Sequence, residues 1–208
     1  SSATSAATGR RRNVIAWILS RAAVAARWRN GLACMLLALL VGARGAVGAG
    51  QPPPPPALTA PVMSLVSDAQ VVGAGTFTYF GLPIYDVYYR SAAGGYAIDK
   101  PFALTLHYRR NLRGRAIASR SSAEIARLGI GTPAEREQWD TAMRATFPDV
   151  HPGDYLTGVN VPGDATYFFR NGQPIGEIVD PAFGAAFFAI WFDPRTSQPE
   201  LRRHLLGE

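Results

Sequence analysis

The side chains best suited to nucleophilic or acid–base work are scarce in this 208-residue chain: three histidines, one cysteine and one lysine. His107, His151 and His204 lie more than 40 residues apart, and their separation argues against a shared metal centre, so each reads as structural. No serine sits in a Gly-x-Ser-x-Gly frame, and no glycine-rich loop is followed by a lysine. No cofactor and no metal is expected, and no catalytic residue is assigned. What remains is a polar-aromatic group: Tyr85, Asp86, Tyr88, Tyr89 and Arg90, then His107, Tyr108, Arg109 and Arg110, then Asn111 and Arg113. Tyrosine hydroxyls beside guanidinium groups can hold a carboxylate or phenolate at the end of an apolar pocket. The candidate ligand-binding residues are therefore Tyr85, Tyr108, Arg109, Arg110 and Arg113. The plainer alternative is a solvated strand edge with tyrosines lying flat on a sheet.

These residues need a scaffold, and the hydrophobic pattern supplies one. Residues 70–80, 84–90 and 102–109 read as strands; in the last, Phe102, Leu104, Leu106 and Tyr108 alternate with Ala103, Thr105, His107 and Arg109. On the second run, Tyr85, Val87 and Tyr89 point one way and Asp86, Tyr88 and Arg90 the other. Gly73-Ala74-Gly75 falls inside a strand pattern, which predicts a bulge or a close approach of a helix or ligand. Helical spacing then predicts helices over residues 115–128, ended by Gly129, and from Thr132-Pro133-Ala134-Glu135 to Phe147. Strands follow at 154–161, 166–170 and 173–179, the last two joined by Asn171-Gly172, a strong hairpin signal. An aromatic helix at 182–192 places Phe183, Phe187 and Trp191 on one stripe, and a short helix spans 199–206. The stripe reads as core packing or as one wall of an apolar cavity. Three strands, two helices, three strands, two helices describe an α+β domain: an antiparallel sheet with helices on one face.

The +6 formal charge is unevenly placed. Residues 1–49 hold seven arginines and no acid, leaving fourteen basic against fifteen acidic side chains beyond them, a net charge of −1. Nucleic-acid binding by the body loses its support. Leu32–Ala43 is an apolar run of about a dozen residues preceded by Arg27 and Arg29, shorter than the roughly 20 needed to span a bilayer. It fits a secretory signal, cleaved near Ala49, which implies a periplasmic location and no membrane span in the mature chain. Cys34 leaves with it, removing thiol and disulfide chemistry. The expected organisation is an N-terminal extension and signal over 1–49, a proline-rich linker over 50–64 built around Gln51–Pro56, and one domain over 65–208.

The ordered set VVGAGTFTYFGLPIYDVYYR (71–90), LHYRRN (106–111), SSAEIARLG (121–129), FPDVHPGDYLTG (147–158), FFRNGQPIGEIVDPAFGAAFFAIWF (168–192) and DPRTSQPELRRHLLG (193–207) resembles the chalcone isomerase-like family, and looks closest to its exported bacterial branch. The resemblance implies an open-faced antiparallel sheet, helices on one face and a cleft between the layers. The family holds plant enzymes that close a chalcone into a flavanone, and non-catalytic fatty-acid binders. Tyr85 falls near the position that is threonine in the enzymes and tyrosine in the binders. The enzymes' strand arginine falls near Thr76 or Phe77, and their helical Tyr, Lys and Asn fall near Arg113, Ala116 and Arg120, so that set is not retained.

Three functions stay open. The first is a binder of a small apolar, fatty-acid-like molecule with an acidic end. The second is an intramolecular lyase or isomerase acting on a chalcone-like conjugated carbonyl substrate. The third is a structural or interaction protein whose cleft is filled by its own aromatics. No protein partner is indicated by the residues.

Overall fold

A computed structural model describes residues 52–208; the expected signal, Cys34 and the cleavage point near Ala49 lie outside the described residues. Six strands form one antiparallel sheet in sequence order: β1 (Gln70–Tyr79), β2 (Leu82–Ser91), β3 (Phe102–Tyr108), β4 (Tyr155–Asn160), β5 (Thr166–Arg170) and β6 (Gln173–Ile178). Five helices accompany it: α1 (Ala60–Met63), α2 (Gly114–Leu128), α3 (Pro133–Thr146), α4 (Pro181–Phe192) and α5 (Pro199–Leu206). The α+β, open-faced antiparallel expectation holds.

Local chemistry explains the elements. Thr132 caps α3 in a reciprocal box with Glu135, and Asp180 accepts from the Ala182 amide at 2.9 Å to start α4. Gly129 and Gly207 close α2 and α5 in the left-handed region. Asn171 and Gly172 both take positive φ, as the tight turn between β5 and β6 demands. The glycine pattern in β1 has a double origin: a register shift at Val71/Gly73, and the arrival of α5 on that strand. A Cβ at Gly73 would fall 2.2 Å from the His204 carbonyl oxygen, so only glycine lets the helix end rest there.

Period-two alternation divides the sheet into two faces. Val87, Tyr89, Phe102, Leu104 and Phe168 pack under α2 to α5, together with Trp139, Met143, Phe183, Phe187, Phe188, Trp191 and Phe192. α4 is apolar around most of its circumference because it lies between the sheet and its neighbouring helices. The other face is covered differently from expectation. Val62 and Val66 pack on Ala103, Val159 and Phe169, and the Pro53 and Pro56 carbonyls accept hydrogen bonds from Tyr88 and Arg90. The described part of the segment read as a linker is thus a strap on the sheet. A proline-rich stretch donates no amide hydrogen bonds, so only strand side chains reaching its carbonyls could tie it down, and local composition does not reveal them.

Candidate functional site

The five candidate residues do not converge on one site. Tyr85 and Tyr108 are register partners on β2 and β3, with ring centroids 5.7 Å apart, and both face the helices. The Tyr85 ring stacks on Phe77 at 5.0 Å, and its hydroxyl accepts a hydrogen bond from the Trp191 indole N–H at 3.3 Å. Burial pushes the Tyr85 phenol up to about 12, against the opposing pull of the Trp191 hydrogen bond and the Arg120 charge. Burial also raises Tyr108, with Tyr85 adding to the effect. Both phenols therefore stay neutral at ordinary pH, as hydrogen-bonding groups without charge.

Arg109 lies on the opposite face. Its guanidinium grips the fully buried Asp86 carboxylate through two bonds, at 2.8 and 3.0 Å, and is held charged by that contact. Thr76 donates to the same carboxylate at 2.7 Å, and His107 stacks on Tyr155 at 4.4 Å. The expected pairing of Arg109 with Tyr85 and Tyr108 around one anion is not realised, because residue 109 continues the alternation that sends odd positions of β3 away from the helices. Arg110 is exposed and donates to the Pro83 carbonyl at 3.3 Å; Arg113 is exposed just before α2, with no side-chain capping bond.

Near the Tyr85–Trp191 contact, the charges come from α2. Glu124, 5% exposed, accepts from Arg120 at 2.5 Å, from Arg127 at 2.7 Å and from Ser197 at 3.1 Å. Glu124 was missed in the sequence, although the Arg120/Glu124/Arg127 spacing of i, i+4 and i+3 was its visible signal. The cleft between sheet and helices is occupied at its centre by aromatic rings: Phe187 sits against Phe168, Phe183, Phe188 and Trp191 at 5.2–5.4 Å.

The strap face carries a second arrangement. Arg90, only 5% exposed, donates to the Pro56 carbonyl at 2.6 Å and to the Thr105 hydroxyl at 3.4 Å, and Thr105 bonds Thr157 at 3.0 Å. A cleft of about 320 Å³ opens beside them, lined among others by Pro56, Leu58, Val62, Thr105, Tyr155 and Thr157. Among the described residues, no group of three or more His, Cys, Asp or Glu is placed to hold a metal ion, and no helix is long and apolar enough to cross a membrane.

With this geometry in place, comparison with known proteins decides the family. The chalcone isomerase-like family model matches residues 97–207, more than half of the chain. This chain belongs to the chalcone isomerase-like family. An uncharacterized protein of Haemophilus influenzae is 29% identical over 140 residues, covering 67% of this chain and 68% of that protein. The crystal structure of a fatty-acid binding protein from Arabidopsis thaliana superposes with a TM-score of 0.57 at 11% identity, over 68% of this chain and 88% of that one. At that identity the likeness speaks for the shared chalcone isomerase-like architecture alone.

Proposed function

We propose that the protein is a non-catalytic member of the chalcone isomerase-like family, exported to the periplasm as part of its bacterial branch, that binds a small apolar molecule with an acidic end between sheet and helices. The observation that carries this reading is the state of the two cleft phenols. Proton transfer in catalysis works best with a group whose pKa lies near the operating pH. Tyr85 is held near 12 and Tyr108 is raised too, and the guanidinium that would steady a developing anion, Arg109, is spent on Asp86 across the sheet. A neutral hydroxyl at the head of an aromatic wall suits hydrogen bonding to a ligand's polar end. The Arabidopsis neighbour, a fatty-acid binding protein, supports the ligand class.

One specific observation favours a second reading. The Tyr85 hydroxyl already accepts from Trp191, and Phe187 packs among aromatic rings beneath α4, as in a structural or interaction protein with an occupied cleft. Native mass spectrometry of the chain purified from its own host's periplasm separates the two. A co-purifying acid, lost in Tyr85→Phe, supports the binder. A bare protein mass in several preparations supports the filled cleft and removes the first reading.

A further inference from the structure

We propose that the cleft under the proline strap is a ligand site for a small organic monoanion, an acid head on a short apolar body, with Arg90 as its counter-charge. The site lies on the face of the sheet opposite Tyr85 and does not depend on the reading above.

The reason is an unbalanced charge. A buried guanidinium costs several kcal/mol in lost hydration unless a carboxylate or equivalent compensates it. Arg90 is 5% exposed, and among the described residues no carboxylate pairs with it; its two bonded acceptors are neutral, the Pro56 carbonyl and the Thr105 hydroxyl. The neighbouring acids are engaged elsewhere. Asp86, four residues back on the same face of β2, is gripped by Arg109, and Asp154 is held by Arg170 and Asn171. Both acceptors of the Arg90 guanidinium, Pro56 and Thr105, line the 320 Å³ cleft.

The remaining lining states what the ligand looks like. Thr105 and Thr157 present a hydrogen-bonded hydroxyl pair at the floor, able to turn their protons toward an entering carboxylate. Leu58, Val62 and the proline side chain of Pro56 supply apolar lining, and Tyr155 lines the cleft as well. The volume is at the lower end for small-molecule pockets and suits a body of about eight carbons or one ring. The strap forms one wall of the cleft. Three of its contacts with the sheet are the hydrogen bonds to Tyr88, Arg90 and Gly172, and a carboxylate that takes over the guanidinium releases the Pro56 carbonyl.

The test titrates the full chain with octanoate and with benzoate by calorimetry, using 1-octanol and benzyl alcohol as uncharged controls. At least one acid should saturate one site, with its alcohol about tenfold weaker or more, the scale of a hydrogen bond to a charged group. Thr157→Val should weaken the acid several-fold, and Leu58→Trp should abolish binding by filling the cleft. Arg90→Gln should remove the preference for acid over alcohol; should that variant fail to fold, Thr157→Val and Leu58→Trp still decide. Equal affinity for acid and alcohol, no saturable binding of either acid, or indifference to Leu58→Trp overturns the site. Loss of binding in Tyr85→Phe with Leu58→Trp silent overturns it as well, and places the ligand in the sheet–helix cleft instead.

Discussion

The indole N–H of Trp191 donates to the hydroxyl of Tyr85 across 3.3 Å, tying α4 to β2 through residues 106 apart in the chain. It satisfies two polar atoms inside an aromatic layer, where either one alone would be left without a partner. Tyr85→Phe and Trp191→Phe should each cost about 1–3 kcal/mol of unfolding free energy, and the double variant less than the sum of the two. Urea unfolding of the four proteins measures the coupling. Strict additivity would mean that the bond contributes nothing to the fold.

Phe187 stands at the centre of the aromatic packing under α4, 7% exposed and against five other rings. Phe187→Ala should cost about 3–5 kcal/mol, the range for deleting a buried ring. The denaturant midpoint reports it. A loss below about 1 kcal/mol would reveal space around α4 that the packed state does not contain.

The Asp86–Arg109 pair is asymmetric, and its variants should be too. Asp86 is fully buried, whereas the Arg109 side chain is 39% exposed. Arg109→Met strands a buried carboxylate with Thr76 as its remaining close donor, and should cost on the order of 3 kcal/mol. Asp86→Asn leaves an arginine free to turn into water, and should cost about 1 kcal/mol. Thermal melting at neutral pH ranks the two, and the reverse order would contradict the assignment of Asp86 as the trapped charge.

Asp154 sets a pH dependence. Partial burial works against its charged form, but hydrogen bonds from Asn171, the His151 amide and Arg170 outweigh this and lower the carboxyl to about 2. A depressed folded-state value stabilises the fold above the unfolded value near 4, and that contribution is lost as pH falls from about 4 toward 2. The melting temperature of the natural chain should therefore drop more steeply over that window than that of Asp154→Asn. Parallel acid profiles would show that the loop around His151 does not depend on the charge.

Much of this protein was legible along the chain because the information is local. Alternation in Phe102–Tyr108, the cap at Thr132, the Asn171-Gly172 turn and the aromatic run of α4 each depend on neighbours within a few residues, and the six strands and four longer helices follow from them. Alternation also placed Tyr85 and Arg90 on opposite faces of β2. What lay across each face was decided only by tertiary structure. That Trp191 would meet Tyr85, that Arg109 would turn to Asp86, and that a proline segment would lie on the sheet are pairings between residues 23 to 106 positions apart. No periodicity encodes such distances. They are settled when burial of the aromatic helix brings α4 down on one face, and the hydrogen-bonding needs of Tyr88 and Arg90 select the strap on the other.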